Sequence, residues 1–154
     1  MTTVATLCFI VHQGKVLLLH KTEGRFGGGM WNGLGGKLKV GESPQDCVRR
    51  EVEEESGLEV PSPIHRGTLS FRFGHDPAKD WFVHVFTATE FSGEPRPSDE
   101  GFLRWFDFAD IPFDEMWEDD RYWLPKVLRG ESVTGQFSFD DAGSRLLSYT
   151  MGEP

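Results

Sequence analysis

The sequence predicts one mixed α/β domain over residues 1–154, and three observations carry that expectation. Apolar runs of strand length open the chain and recur in its second half. One segment, Ser43 to Gly57, carries helix signals at both ends, and a second helical pattern ends at Gly130. A hydrophobic fraction of 38% with thirteen Phe and five Trp is enough for a core of its own.

Taken in order, "VATLCFIV" and "KVLLLH" read as strands joined by "HQG", a hairpin or two adjacent strands. The Gly-rich "GRFGGGMWNGLGG" then reads as a loop. Ser43 is placed as an N-cap with Pro44 at the first helical position, Asp46 closing a capping-box-like pair, and Gly57 just past the helix end. "TLSFRF", "WFVHVFTATEF" and "GFLRWFDF" read as strands, with His84 a strand histidine of no catalytic duty. "DIPFDEM" reads as a turn into a short helix, "DDRYWLPKVLRG" as a helix, and "TGQFSFDDAGSRLLSYTM" as a closing hairpin. No repeat, linker or low-complexity tract interrupts this order.

Charge narrows the function. A net charge of -9 and a pI near 5.0 argue against a nucleic-acid polymer as partner, because phosphate backbones require a basic surface. A small phosphorylated ligand stays open if divalent cations bridge the repulsion. The N-terminal apolar run stops at His12, too short to cross a bilayer, and no basic leader precedes it, so no membrane association is expected. Cys8 and Cys47 make no disulfide or metal framework and fit buried thiols in a reducing cytoplasm.

The acidic segment is the informative one. Glu42, Glu51, Glu53, Glu54 and Glu55 crowd into 14 positions of an already acidic chain, where like charges on neighbouring turns repel. At ~100° per residue Val48 and Val52 form an apolar stripe, with Glu51, Glu54 and Glu55 on an adjoining arc. Such a helix docks by its valines and holds three carboxylates at the edge of the core. Oxygen ligands of this kind suit Mg²⁺ or Mn²⁺; a solvated acidic face is the competing interpretation of a bare glutamate run.

The whole spacing goes further. Gly36, five residues, Glu42, seven residues, and "REVEEESGL" from Arg50 to Leu58 resembles the Nudix box at every defining position. That resemblance implies an α/β/α sandwich with a mixed sheet and metal-dependent hydrolysis of a nucleoside diphosphate derivative. It implies Glu51, Glu54 and Glu55 as metal ligands beside the Gly35 carbonyl, with Arg50 orienting a glutamate. A general base acting on a metal-bound water would be Glu55 or Glu100.

Beyond the box, "WNGLGGK", "SDE", "DIPFDEMWEDDRYW" and "FSFDD...LLSYT" are similar to the mammalian MutT-type members, which clear oxidised purine nucleoside triphosphates. This likeness implies that Asn32 contacts the base, Trp117 stacks on it, and Asp119 and Asp120 hydrogen-bond its edge. Phe26, Phe71 and Trp123 would complete the wall, Thr6 and Lys21 would lie near sugar or phosphates, and Glu100 would join the metal site from a loop. Adjacent carboxylates facing one pocket should keep one proton between them. Trp81 and Gly101 stand where those relatives carry methionines, so one wall would gain an aromatic and another lose its side chain. The expectation is a monomeric cytoplasmic enzyme converting 8-oxo-dGTP to monophosphate and pyrophosphate. The rivals are another nucleoside diphosphate derivative as substrate, or a non-catalytic nucleotide-binding module.

Overall fold

The computed structural model describes residues 2–152. Strands β1 (Thr3–His12), β2 (Lys15–Lys21), β3 (Trp31–Asn32), β4 (Ile64–Phe73), β5 (Trp81–Ala88), β6 (Gly101–Asp107), β7 (Val133–Phe139) and β8 (Leu146–Met151) form one mixed sheet. Helices α1 (Pro44–Ser56) and α2 (Asp120–Leu128) complete the architecture. The strand order is β3-β2-β1-β5-β4-β7-β8, with β6 also paired along β2. Two pairings are parallel, β1 with β5 and β4 with β7; the others are antiparallel.

The sheet is covered on both faces, which explains why its early strands read as continuous apolar runs. Successive side chains point to opposite faces. Phe9, Val16 and Leu18 therefore join Trp123, Leu124 and Val127 of α2 in one core. Ile10, Leu17 and Leu19 join Val48 and Val52 of α1 in the other. All four residues Val16–Leu19 are fully buried, and each leucine contributes about 1.5–3 kcal/mol through that burial.

Local signals explain the element ends. Gln13 and Gly14 both have positive φ, 51° and 75°, as a two-residue hairpin turn requires, and Val11–His12 pair with Lys15–Val16 across it. The Ser43 hydroxyl accepts from the Asp46 N–H at 3.1 Å, and Gly57, at φ 77°, donates its N–H to the Glu53 carbonyl. The closing hairpin of β7 and β8 forms where expected.

Two boundaries differ. The Gly-rich stretch contains β3, which lies against β2 at Leu19 and His20. β4 begins at Ile64, four residues before "TLSFRF", because a register irregularity between His65 and Gly67 continues the pairing to β5 past a break in the apolar pattern. The short helix expected from "DIPFDEM" forms as a single 3₁₀ turn, Phe113–Glu115.

Candidate active site

Residues 34–38 run antiparallel beside β1. Thr6 N–H donates to the Gly36 carbonyl at 2.9 Å, and Leu38 N–H to that of Val4 at 3.0 Å. This strip brings Gly35 and Gly36 against α1, where no side chain fits. A Cβ on Gly36 would lie 2.6 Å from the Glu51 carboxyl carbon, and one on Gly35, at φ 145°, would lie 2.1 Å from the Thr6 carbonyl oxygen. The first glycine of the motif is thus the hole into which a glutamate carboxylate fits.

Glu55 is 2% exposed and accepts from the Gly35 N–H at 2.7 Å. Burial pushes its carboxyl up to about 8; the Gly35 hydrogen bond and Lys21 oppose this, while Glu51 and Glu100 add to it. Arg50 donates to Glu51 at 2.7 Å, to both Glu42 oxygens at 2.7 and 2.8 Å, and to Glu54 at 3.3 Å. Those hydrogen bonds, with the Lys39 N–H, hold Glu42 down at about 2. Glu100 reaches in from the loop before β6 and pairs with Arg25 at 3.0 Å.

Glu51, Glu55 and Glu100 line one cavity of about 530 Å³. Glu54 lies on the outer side of α1, 55% exposed, and is not part of the cavity wall. Among the described residues no three acidic, His or Cys side chains converge as a finished metal cage. The carboxylates form a spread set, because Arg50 engages Glu42, Glu51 and Glu54, Arg25 engages Glu100, and the Gly35 N–H engages Glu55. The set still fits a hard divalent cation: its donors are all oxygen, and a carboxylate is buried against two others with only one N–H to satisfy it.

The same cavity continues into an aromatic end. Phe26, Phe71, Phe73, Trp81, Trp117 and Phe139 line it, with Asn32, Asp119 and Asp120. Asp119 and Asp120 are both buried. Asp119 Oδ2 accepts from Trp123 Nε1 at 2.7 Å. Burial raises Asp119 to about 6 and Asp120 well above the usual carboxylate range, the Asp119 charge adding to the latter. Burial and the repulsion between the two carboxyls thus favour one shared proton over two charges. Asn32 donates to the carbonyls of Met30 and Gly27 at 2.9 and 3.3 Å.

Two expectations need correction. Trp123 is fully buried in the α2 core and lies behind the wall, where its indole N–H anchors Asp119. Gly101 opens no gap in the wall: it sits in β6 opposite Lys21, and a Cβ there would lie 2.0 Å from the His20 carbonyl oxygen. Close strand approach requires glycine at that position.

Thr6, at the buried floor, and Lys21 lie in the cavity as expected. Arg25, Lys37 and Lys39 join them there unforeseen, so that with Arg50 five cations of an acidic chain face one cavity. Lys37 and Lys39, two apart in an extended strip, carried a readable signal. Phe73 and Phe139 carried none, since only the parallel register of β4 and β7 sets them side by side.

Arg50 holds Glu51 by a hydrogen bond, and Arg50→Ala is expected to cost roughly ten- to a hundredfold in turnover, as loss of an orienting partner does where a carboxylate binds metal. It also removes the partner that depresses Glu42. That stabilisation is present above about 4.5 and lost as pH falls toward about 2, so the difference in Tm between variant and parent should narrow over that window. A constant gap would remove Glu42 as the coupled group.

Comparison with known proteins agrees with this geometry. The NUDIX domain family model matches residues 1–127. The "Oxidized purine nucleoside triphosphate hydrolase" of Danio rerio is 44% identical over 135 residues, covering 87% of this chain and 85% of that protein. Its Mus musculus namesake is 40% identical over 148 residues, covering 96% and 93%. A MutT protein from Bacillus halodurans superposes with TM-score 0.87 at 32% identity over 99% of both chains.

Proposed function

Because the chain belongs to the Nudix family of hydrolases, we propose that it hydrolyses an oxidised purine nucleoside triphosphate, 8-oxo-dGTP, to the monophosphate and pyrophosphate. The carrying observation is that one cavity joins a charged half to an aromatic half ending in a buried Asp pair. A triphosphate needs the first and a purine edge the second.

In the charged half, Lys21, Lys37 and Lys39 face the phosphates, with Thr6 at the floor beside the sugar. Family members generally use a divalent metal; here Mg²⁺, with Mn²⁺ a substitute, would be held by Glu51, Glu55 and Glu100 with the Gly35 carbonyl, and by Glu54 at the outer edge. Such an ion neutralises phosphate oxygens and acidifies a bound water. Arg50 aims Glu51, and the proton of the attacking water passes to Glu55 or Glu100. In the aromatic half, Trp117 offers its face to the base, Asn32 Oδ1 an acceptor, and the Asp pair one donor and one acceptor. Phe71 closes the wall.

A single purine suits this molecule better than a dinucleotide. A second groove, about 410 Å³ along α1, is lined by Asp46, Arg49, Glu53 and Glu59 among others and offers no aromatic seat for a second base. The buried free thiols Cys8 and Cys47 suit a reducing cytoplasm, and a monomer suffices because the cavity is built within one chain.

Pyrophosphate release from a panel of normal and oxidised nucleoside triphosphates, ranked by kcat/KM, tests the substrate. In labelled water the expected product is pyrophosphate bearing the label, from attack at the β-phosphorus. Label in the monophosphate would mean attack at the α-phosphorus and count against the MutT-type chemistry.

A further inference from the structure

Arg25 and Glu100 stand apart from the other charged groups of the cavity. Glu51 and Glu55 are set from α1, by Arg50 and by the Gly35 N–H, each at 2.7 Å. Glu100 comes from the loop before β6 and pairs at 3.0 Å with Arg25, which comes from the loop after β2. Both side chains line the cavity, yet each keeps a large share of its surface in water, 43% for Arg25 and 37% for Glu100.

The backbones beneath them are stitched together. Thr22 N–H donates to the Glu100 carbonyl at 2.9 Å, and the Thr22 hydroxyl to that of Asp99 at 3.0 Å. Glu100 N–H donates to Ser98 Oγ at 3.2 Å. Gly28 N–H donates to the Arg25 carbonyl at 2.7 Å, in a turn so close that a Cβ on Gly28 would lie 2.8 Å from that oxygen. The main chain is thus held on both sides, and the ion pair can part by side-chain rotation alone. In that pair Arg25 uses one of its five N–H donors. A guanidinium fork matches phosphate oxygens as well as it matches a carboxylate.

We infer that Arg25 is an exchangeable partner of Glu100: it neutralises that carboxylate until Glu100 turns to a divalent cation, and the released guanidinium then takes a phosphate oxygen of the nucleotide. Cation and nucleotide favour each other's binding, because each draws off the group that occupies the other's ligand. The exchange rests on the charged half of the reading above and needs only a divalent cation and a polyphosphate.

The test is a double-mutant cycle of Arg25→Gln and Glu100→Gln, read by calorimetry with Mn²⁺ alone and with inorganic tripolyphosphate in a chelator. Glu100→Gln should tighten tripolyphosphate about two- to fivefold by releasing the guanidinium, and Arg25→Gln should tighten Mn²⁺ by a similar factor. Each gain should vanish when the partner has already been replaced. Simple removal of a like charge would act in both backgrounds, so gains that persist there overturn the exchange. With Mn²⁺ present, Arg25→Gln should weaken tripolyphosphate about tenfold, and unchanged affinity overturns the phosphate role. If the cycle couples but no oxidised purine nucleoside triphosphate is hydrolysed, the exchange stands and that reading falls. If such a triphosphate is hydrolysed and the cycle is additive, the reading stands and the exchange falls.

Discussion

Glu55→Gln is expected to lose about a thousandfold or more of metal-dependent turnover while the protein folds normally. The substitution is nearly isosteric: a glutamine oxygen can still accept from the Gly35 N–H at 2.7 Å, and only the charge is lost. A bound divalent ion is worth several kcal/mol in the transition state, hence the size of the effect. Stability should move the other way. The folded carboxyl lies at about 8, above its ordinary 4.5, so its contribution is fully present below about 4.5 and lost as pH rises through about 8. Glu55→Gln should therefore melt higher than the parent at pH 8, by an amount that vanishes near pH 4. Turnover and Tm across pH decide it; near-normal activity in a folded variant would end the metal-platform assignment. Glu54→Gln, at the exposed outer side of α1, is expected to lose turnover as well.

Replacing Asp119, Asp120 or Trp117 by alanine is expected to damage the choice of base and spare the metal chemistry. Loss of a stacking ring costs about 1–3 kcal/mol, and a pocket group left unpaired a similar amount, which is roughly tenfold or more in kcat/KM. Asp119→Ala carries an added penalty, because the buried indole N–H of Trp123 loses its acceptor. Asp119→Asn preserves that bond and separates the two effects. On this reading a proton shared by the pair would be the donor to an oxidised base, so activity toward 8-oxo-dGTP should fall as pH rises past the point where that proton leaves. Asp119→Asn should flatten this alkaline limb. The stability sign is the same as for Glu55: both aspartates are raised by burial, so the parent is most stable below the ordinary carboxylate range and loses stability as pH rises. The measurement is the ratio of kcat/KM for 8-oxo-dGTP and dGTP across pH. A ratio that stays at the parent value in every variant means that these residues do not read the base.

The acidic helix was legible because its information is local. Caps at Ser43 and Gly57, the valine stripe and the offsets from Gly36 to Leu58 are properties of neighbours along the chain. The Asp pair was singled out only by the likeness to the MutT-type members, since its adjacency is local but its burial against one cavity is not. Strand runs in the first 20 residues declared themselves by continuous apolar character, which cover on both faces of the sheet explains.

What joins those pieces is long-range. Sequence alone determined the mixed α/β class, the carboxylate-bearing helix and the residues that could meet a metal and a base. Tertiary structure alone decided that Gly36 is the recess for Glu51, that Trp123 stands behind Asp119 rather than on the wall, and that Phe73 and Phe139 lie side by side across parallel strands. It also decided that Phe26 rests against Trp81, a residue 55 positions along the chain. The physical reason is the reach of each signal. Periodicity and capping act over a few residues, whereas burial, and with it the protonation of Glu55, Asp119 and Asp120, depends on which distant segments exclude water from the same cavity.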